Sequence, residues 1–572
     1  MNKVLKGLVA VAATAAMAVA GFAGASTAMA DTTTKTNITI TDAAVGDQFS
    51  AYKLLNLTTS VEGEEPNQTT NYSYTVNSKY RSVLTSAINE LNGNSAAPTT
   101  DAAIIDYISN NVVSNESTDN TKVTARKFAE TVRAQIVAAN TSSVTLAADG
   151  AAAKTADNNA TFSNMDQGYY LIIQTVATNS DGKTMSQVIL NTHGQSELDL
   201  TVKKDTVRLT KKVQENQDGV NDGQNGKWQD GADYNIGDMV PFQLTGTLPA
   251  DYANYSAYQY IFHDSASAGL TFSIANAELK VYAVNNDQKI ELKKATDAND
   301  KTGYTVVTSG LTGETFQVKF ADLKQAKAET GDVTITKDTK IVVEYKAKLN
   351  ADAKRGATGN PNEAWLEFSN DQYNTGEGSP TGNTPPDKVI VFTFDIVVNK
   401  YKNSVTDANK LNNAGFTLYK STDGTNWSKA QELNNAGNNT NVFRFNGLDS
   451  GYYKIVESKV PDGFTKADDV IFTVEATYDT TSDAPTLTGL VVKDANGSVI
   501  STGENAKFTL SGITYDGTES ANAQISTNII NKSGNKLPST GGMGTVMLYV
   551  AGIAVFVLAG ATLVMALRRR NA

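Results

Sequence analysis

The stretch Gly451-Tyr452-Tyr453-Lys454-Ile455-Val456-Glu457 has the alternating pattern of a β-strand. Tyr453, Ile455 and Glu457 share one face of a strand with a period of two, so an apolar face also carries a carboxyl group. From about residue 201 onward, similar short alternating stretches are separated by Gly, Asn, Asp and Pro. Such spacing is typical of antiparallel sandwiches and predicts a mainly β protein.

The first part of the chain follows a different pattern. Apolar side chains recur there at helical spacing in two sets, Ile104, Ile108 and Val112, and Phe128, Val132 and Ile136. We therefore predict an α+β unit over residues 31–200. A turn-rich stretch from Thr375 to Pro386 predicts a boundary between two sandwich units at 201–388 and 389–535.

Composition excludes several classes of function. The 572 residues carry a net charge of −11 and no cysteine, which argues against a nucleic-acid partner and excludes disulfides, thiolate nucleophiles and cysteine-bound zinc. His193 and His263 are the only histidines. With two such residues, a histidine metal site or Ser-His-Asp catalysis is not expected. We expect no metal and no cofactor.

The N-terminus predicts export. Lys3 and Lys6 precede an apolar run over residues 8–23, and Ala28-Met29-Ala30 places small residues at the cleavage-defining positions. This order is typical of a secretory signal peptide over residues 1–30.

The C-terminus predicts attachment to a surface. An uncharged apolar run from Val546 to Leu567 is followed at once by Arg568-Arg569-Arg570, the order expected of a transmembrane helix with its tail inside the cell. Ahead of it stands the sequence Leu537-Pro538-Ser539-Thr540-Gly541. These features group residues 536–572 as one C-terminal segment.

The sandwich units each direct three polar side chains inward. Lys211 alternates with apolar Leu209 and Val213, and comparable positions recur along other strands. The predicted inward groups are Lys211, Asp264 and Asn370 in the second unit, and Lys400, Glu457 and Asn531 in the third. The chain thus offers an amine, an acid and a carboxamide twice, in the same order.

Grouping these side chains permits a reaction between them. Burial lowers the pKa of a lysine and raises that of a carboxyl group, so both can be neutral at ambient pH. A neutral amine can attack the Asn side-chain carbonyl while the protonated acid polarises that carbonyl and moves protons to the departing ammonia. The product would be an intramolecular amide, with Asp264 and Glu457 as catalytic acids. The alternative is that each lysine lies on its sheet with its head in water, and Lys212 is the competing choice for Lys211.

Together these motifs resemble those of shaft subunits of Gram-positive pili. The 451–457 stretch and Pro461-Asp462-Gly463-Phe464 are similar to the E-box of collagen-adhesin B-type domains, and 537–541 resembles a sortase signal cut after Thr540. The resemblance implies tandem immunoglobulin-like sandwiches, Lys-to-Asn bonds, and a helix that holds the chain in the membrane only transiently. It also implies a cell-wall-anchored pilus whose partners are sortase, identical subunits, tip and base pilins and peptidoglycan.

The resemblance further implies a lysine that joins subunits, usually in a Tyr-Pro-Lys context. Here the corresponding place reads Leu200-Thr201-Val202-Lys203-Lys204, without the Tyr and Pro. Family spacing favours Lys203, with Lys204 as the alternative.

Two other functions and one further site are open to test. A monomeric wall-anchored adhesin could bind a host glycan or matrix protein, and a surface hydrolase would need a pair of carboxylates that no spacing singles out.

The first unit has Gln174 where an E-box has its acid. Because a carboxamide cannot shuttle protons, we predict no bond there and assign Lys53 a structural role. Each expected bond forms only once, so we do not expect an enzyme.

Overall fold

The computed structural model describes residues 35–570 apart from positions 42, 63–68, 115–116, 120, 142–145, 178–181, 186, 193–194, 201–205, 221–224, 298, 373, 377, 436, 438–439, 480–484, 505, 516–517 and 535–542. The predicted signal peptide, the sorting motif 537–541 and both Lys203 and Lys204 lie outside the described residues. The described chain is mostly β, as its alternating pattern predicts.

The first unit combines two main sheets and a two-stranded parallel sheet with three helices. Its strands are β1 (Lys35–Ile40), β2 (Gln48–Glu62), β3 (Thr69–Val76), β4 (Val112–Val113), β5 (Val123–Thr124), β6 (Gly150–Ala153), β7 (Ala160–Asp166), β8 (Gly168–Val176), β9 (Gln187–Asn191) and β10 (Glu197–Leu200). Its helices are α1 (Arg81–Leu91), α2 (Asp101–Asn111) and α3 (Ala125–Thr141), with a 3-10 turn at Ser78–Tyr80. The sheets run β10-β1-β7 and β3-β2-β8-β9, with β6 on β2.

The apolar spacing of α2 and α3 explains how they pack. Ile104 and Ile108 of α2 and Phe128, Val132 and Ile136 of α3 are buried in one core with the sheet around β2. Val112 follows α2 and opens β4 instead of extending the helix. The predicted α+β character of this unit is confirmed.

The second unit is a sandwich of two seven-stranded sheets. Its strands are β11 (Leu209–Gln214), β12 (Trp228–Gln229), β13 (Gly231–Asp233), β14 (Met239–Gly246), β15 (Tyr260–Ala266), β16 (Leu270–Thr271), β17 (Lys280–Asn285), β18 (Gln288–Glu291), β19 (Thr305–Val307), β20 (Phe316–Phe320), β21 (Lys340–Leu349), β22 (Asn360–Ser369), β23 (Thr381–Asn383) and β24 (Asp387–Phe392). Short 3-10 turns lie at Tyr252–Asn254, Leu323–Gln325 and Gly356–Thr358. One sheet runs β12-β11-β14-β21-β17-β18 with β16 on β21, and the other β13-β24-β22-β15-β20-β19 with β23 on β22.

The third unit is a smaller sandwich. Its strands are β25 (Phe394–Lys402), β26 (Gly415–Ser421), β27 (Ser428–Asn434), β28 (Val442–Leu448), β29 (Gly451–Lys459), β30 (Val470–Asp479), β31 (Thr486–Lys493), β32 (Phe508–Tyr515) and β33 (Thr518–Asn531), with a 3-10 turn at Asp407–Asn409. A four-stranded sheet, β28-β25-β33-β32, packs on a five-stranded one, β27-β26-β29-β30-β31.

The boundary between the two sandwiches differs from the predicted one. The stretch 375–386 is not a linker, because it contains β23, which pairs with β22. β24 crosses the predicted boundary at residue 388 and pairs with both β22 and β13. The second unit therefore ends at Phe392, and Thr393 separates it from β25. Turn residues within a sandwich were mistaken for a junction.

Polar and aromatic contacts join the second and third units. Asp233 Oδ2 accepts a hydrogen bond from the Ser450 backbone N–H at 3.0 Å, and Phe392 stacks on Tyr478 with ring centroids 5.1 Å apart. Because such side chains are buried at the junction, the two sandwiches pack directly against each other.

A C-terminal helix, α4 (Met543–Arg570), covers the predicted helical span 546–567. Its side chains are described from Val555 to Leu567 and at Arg569, and they are exposed. Within the described part of the chain, no helix combines the length and apolar character needed to cross a membrane.

Candidate functional site

The second unit encloses a lysine between its two sheets. Leu209, Lys211 and Val213 alternate inward along β11, so strand geometry forces the Lys211 side chain into the core, where none of its surface is exposed. Its Nζ lies 2.5 Å from Asp264 Oδ2 on β15 of the opposite sheet. The predicted pairing of Lys211 with Asp264 therefore agrees with the structure, whereas Lys212 points outward to Asp230.

Tyr345 and Asn362 complete this cluster. The Tyr345 hydroxyl donates to Asp264 Oδ2 at 2.6 Å and lies 3.2 Å from Lys211 Nζ. Asn362 on β22 is fully buried and donates from Nδ2 to the Tyr345 hydroxyl at 2.9 Å. Neither residue was among the predicted site residues. Both were detectable in principle, because each occupies an inward position of an alternating strand.

Asn370 lies elsewhere, so its predicted place beside Lys211 is wrong. The register pairs Asp264 with Ala364, and Asn370 is six positions further along, about 20 Å at the rise of a strand. Asn370 follows β22 and its carbonyl accepts from the Met185 N–H of the first unit at 2.7 Å. Alternation assigns Asn362 and Asn370 to the same face. It does not show which of the two asparagines lies near Asp264 along the strand.

Two oxygen atoms of this cluster are buried without a hydrogen-bond partner among the described residues. They are Asp264 Oδ1 and the side-chain carbonyl oxygen of Asn362. Two acceptors cannot pair with each other, but a proton on Asp264 would let it donate to the Asn362 carbonyl. A neutral acid would therefore satisfy both atoms.

The electrostatics of the cluster favour neutral groups. Burial lowers the pKa of Lys211, and the attraction of Asp264 opposes this only in part. Burial likewise raises the pKa of Asp264 against the pull of Lys211. Moving a charge from water into an apolar core costs free energy. The rings of Phe242 and Tyr345 line this core, with centroids 5.6 and 5.8 Å from Lys211 Nζ. Burial therefore shifts both groups towards their neutral forms.

The third unit contains a second cluster, and here all three predicted residues meet. Lys400 Nζ lies 3.0 Å from Glu457 Oε1 and contacts Asn531 Oδ1. Asn531 Nδ2 donates directly to Glu457 Oε1 at 2.9 Å, and the Ala467 N–H donates to Glu457 Oε2 at 2.8 Å. Lys400 has no exposed surface, and burial lowers its pKa.

Among the described residues of the first unit, no such cluster surrounds the stretch 168–174 that resembles an E-box. Gln174 is fully buried and pairs in register with Phe49, whereas Lys53 pairs with Tyr170 four residues further along β2. The Lys53 amine instead forms an ion pair with Asp166 at 3.3 Å. This position fits the structural role predicted for Lys53.

Both sandwiches thus hold the groups needed for amide exchange. A neutral lysine amine can attack the Asn Cγ atom, and a buried acid at hydrogen-bond distance can transfer the proton that the leaving ammonia requires. The apolar walls exclude water, which would compete as a nucleophile and hydrate the amine.

Comparisons with known families identify two regions of the chain. Residues 396–486 match the family model SpaA, described as a prealbumin-like fold domain. Residues 529–572 match the model of the LPXTG cell wall anchor motif. The comparison with curated protein sequences gave no match.

Several solved structures are similar in fold. The T6 backbone pilin of serotype M6 Streptococcus pyogenes, described as a modular three-domain structure, gives a TM-score of 0.46 at 17% identity, covering 87% of this chain and 98% of that one. The full-length major pilin SpaD of Corynebacterium diphtheriae gives 0.43 at 16%, covering 89% and 100%. The major pilin SpaA of the same organism gives 0.41 at 12%, covering 87% and 100%. The site geometry described above does not depend on these distant likenesses.

These matches define the class of protein. It is a surface protein of tandem β domains with a cell-wall anchor signal, which implies processing by sortase and attachment to peptidoglycan of a Gram-positive cell. Its third unit is similar to the prealbumin-like SpaA domain. The predicted location is thereby confirmed.

Proposed function

We propose that this chain is the structural shaft subunit of a surface pilus, polymerised covalently by sortase and stabilised by internal amides between Lys211 and Asn362 and between Lys400 and Asn531. The observation that carries the proposal is the presence of two fully buried amine, acid and amide clusters in consecutive sandwiches. A subunit that transmits tension benefits from such cross-links, and the chain has no cysteine to form disulfides.

The proposed chemistry is an amide exchange that occurs once in each cluster. The lysine Nζ bonds to the Asn Cγ, the bond from Cγ to Nδ2 breaks, and one proton moves from the amine to the leaving nitrogen, so that ammonia departs. Asp264 and Glu457 act as acids. The acid is regenerated, but each lysine and asparagine is consumed, so the protein is not an enzyme.

Assembly would use groups at both ends of the subunit. Sortase would cut after Thr540 and join that carbonyl to Lys203 of the next subunit, with Lys204 as the alternative nucleophile. Tip and base pilins and the wall peptidoglycan would be further partners in this assembly.

Intact mass spectrometry of the ectodomain tests the internal bonds. We expect a mass lower by two molecules of ammonia than the sequence requires. Lys211→Ala and Glu457→Ala should each restore one ammonia, whereas Lys212→Ala, on the outer face of the same strand, should restore none. A mass without any deficit would contradict both bonds.

Denaturing gels of wall extracts test the polymer. Shaft function predicts a ladder of heat-resistant multimers that disappears in a Thr540→Ala strain. Loss of the ladder in a Lys203→Ala strain but not in a Lys204→Ala strain would identify the nucleophile. A single band from the unaltered strain would instead favour a monomeric wall-anchored adhesin.

A further inference from the structure

The first cluster contains one group that the second lacks. In the third unit, Asn531 Nδ2 donates directly to the acid Glu457. In the second unit, the Tyr345 hydroxyl stands between Asn362 Nδ2 and Asp264 Oδ2, at 2.9 and 2.6 Å. Among the described residues, no tyrosine hydroxyl is hydrogen-bonded to Lys400, Glu457 or Asn531.

The two clusters also differ in the length of the acid. Aspartate is one methylene shorter than glutamate, so the carboxyl group of Asp264 extends less far from its strand than that of Glu457. Its Oδ2 contacts Lys211 Nζ and the Tyr345 hydroxyl, while the Asn362 amide nitrogen contacts that hydroxyl instead. The hydroxyl thus bridges an acid and an amide of the kind that meet directly in the third unit.

We propose that Tyr345 is a catalytic residue of the second unit, whose hydroxyl carries a proton from Asp264 to the leaving nitrogen of Asn362. This inference rests on the proposed Lys211–Asn362 bond. The Tyr345 hydroxyl contacts the amine, the acid and the amide at once.

The relay is balanced in atoms and protons. As Lys211 Nζ bonds to Asn362 Cγ, one Nζ proton passes to Asp264 Oδ2 over 2.5 Å and the proton on Asp264 Oδ1 passes to the Asn362 carbonyl oxygen. The Tyr345 hydroxyl, which donates to Oδ2 before the reaction, then gives its proton to Asn362 Nδ2 over 2.9 Å and takes the proton of Oδ2 over 2.6 Å. As the bond from Cγ to Nδ2 breaks and ammonia leaves, the carbonyl oxygen returns its proton to Oδ1, so Tyr345 and Asp264 recover their starting protonation states.

The burial of Tyr345 agrees with this role. Its side chain lies in the core, and burial raises the pKa of its hydroxyl well above the ordinary value, with Asp264 adding to the effect. The hydroxyl therefore stays protonated at neutral pH. It can act by exchanging one proton for another without forming a tyrosinate.

The experiment compares bond formation in the two units of the same molecule. Freshly purified ectodomain is digested, and cross-linked peptides from both clusters are quantified by mass spectrometry over time. In Tyr345→Phe we expect the Lys400–Asn531 peptide to be complete and the Lys211–Asn362 peptide to form at least about 100-fold more slowly, as for loss of a proton-transfer group. Tyr260→Phe is the matched control, since its buried hydroxyl donates only to the Thr247 carbonyl at 2.8 Å.

A longer acid should rescue the variant. Asp264→Glu combined with Tyr345→Phe recreates the direct acid-to-amide contact of the third unit, so the Lys211–Asn362 bond should form again. A purely structural role of the hydroxyl would not be restored by lengthening the acid. Stability measured for Tyr345→Phe in a Lys211→Met background, where no bond can form, gives the folding effect alone.

The outcomes separate the two proposals. If the unaltered protein has no cross-linked peptide, the proposed bond itself fails. If the unaltered protein has both bonds and Tyr345→Phe forms both equally fast, only the role of Tyr345 is overturned. Failure of Asp264→Glu to rescue a correctly folded Tyr345→Phe variant would also overturn it.

Discussion

The two clusters contain the same kinds of groups but place them differently in their sandwiches. In the second unit Lys211 belongs to one sheet, while Asp264 and Asn362 belong to adjacent strands of the other. In the third unit Lys400 and Asn531 lie on the adjacent parallel strands β25 and β33, and the acid comes from the opposite sheet. The chemistry therefore depends on local proximity and not on one arrangement of strands.

This difference has a mechanical consequence. The proposed bond of the third unit joins its first strand to its last, so almost the whole sandwich lies inside the cross-linked loop. The bond of the second unit ends on β22, which leaves β23 and β24 outside the loop. With the proposed bonds in place, the third unit would be closed by its cross-link, and the second would retain a part that tension can detach.

Removing either proposed bond should produce the largest change in the free energy of unfolding. Lys211→Met and Lys400→Met keep a long apolar side chain but remove the nucleophile. Each bond closes a loop of more than 100 residues, so we expect each variant to lose about 5 kcal/mol in the free energy of unfolding. Chemical denaturation of the ectodomain measures this loss.

Lys212→Met is the control for that comparison. Its amine lies on the outer face of β11, is about one-third exposed and contacts Asp230, so its loss should cost less than about 1 kcal/mol. Equal effects of Lys211→Met and Lys212→Met would argue against a cross-link in the second unit.

The clusters also show how far sequence patterns predict a site. Alternation placed Lys211, Asp264, Lys400 and Glu457 inward, because strand side chains alternate strictly between faces. It did not distinguish Asn362 from Asn370, because both have the same parity and only the pairing of β22 with β15 sets their position. The third unit avoids this ambiguity, since Asn531 is the only asparagine of β33 on the inward face by alternation.

Tyr345 and the unit boundary were missed for related reasons. An inward tyrosine in the middle of an apolar alternation is ordinarily a core residue. Its contact with Asp264 joins strands of two sheets, and the two residues are 81 positions apart in the sequence. Similarly, the prolines near residue 385 indicate turns, but only the pairing of β24 with β22 shows that those turns lie within a sandwich. Long-range pairing carries this information, and local patterns do not.

Pulling single molecules from both ends should distinguish the two units by their extension under tension, a smaller effect than the loss of stability. In the bonded second unit, tension can detach residues 363–392 without breaking a covalent bond, which gives an extension of roughly 100 Å. The bonded third unit has only residues 394–399 of β25 before its bond. We expect force spectroscopy to record one short extension per subunit, assigned to the second unit.

Variants identify the origin of that extension. Lys211→Met should lengthen it to that of a whole unfolded sandwich, while Lys400→Met should add a separate long extension from the third unit. An unaltered subunit that shows no short extension, or two of equal length, would contradict the difference between the bonds.

The smallest expected difference is a pH dependence of the stability of the second unit. His263 lies on the outer face of β15, next to Asp264, and stacks on Trp365 with ring centroids 4.9 Å apart. Its Nδ1 lies 3.0 Å from Glu314 Oε2 and its Nε2 3.2 Å from Glu367 Oε2. Burial alone would lower the pKa of His263, but the two carboxylates outweigh it and raise the pKa above 6.5.

A raised histidine pKa means that the folded state binds the proton more tightly than the unfolded chain does. The stabilisation is therefore complete below pH 6.5 and is lost as the pH rises through the higher pKa of the folded state. The third unit has no histidine and should not respond in this window. Calorimetry of Lys211→Met ectodomain at several pH values measures the effect without the dominant contribution of the bond. Adding His263→Gln should reduce the slope and leave the contribution of Asp233, whose pKa burial raises to about 7. A slope of unchanged size after this substitution, or one of equal size in the third unit, would show that His263 does not contribute.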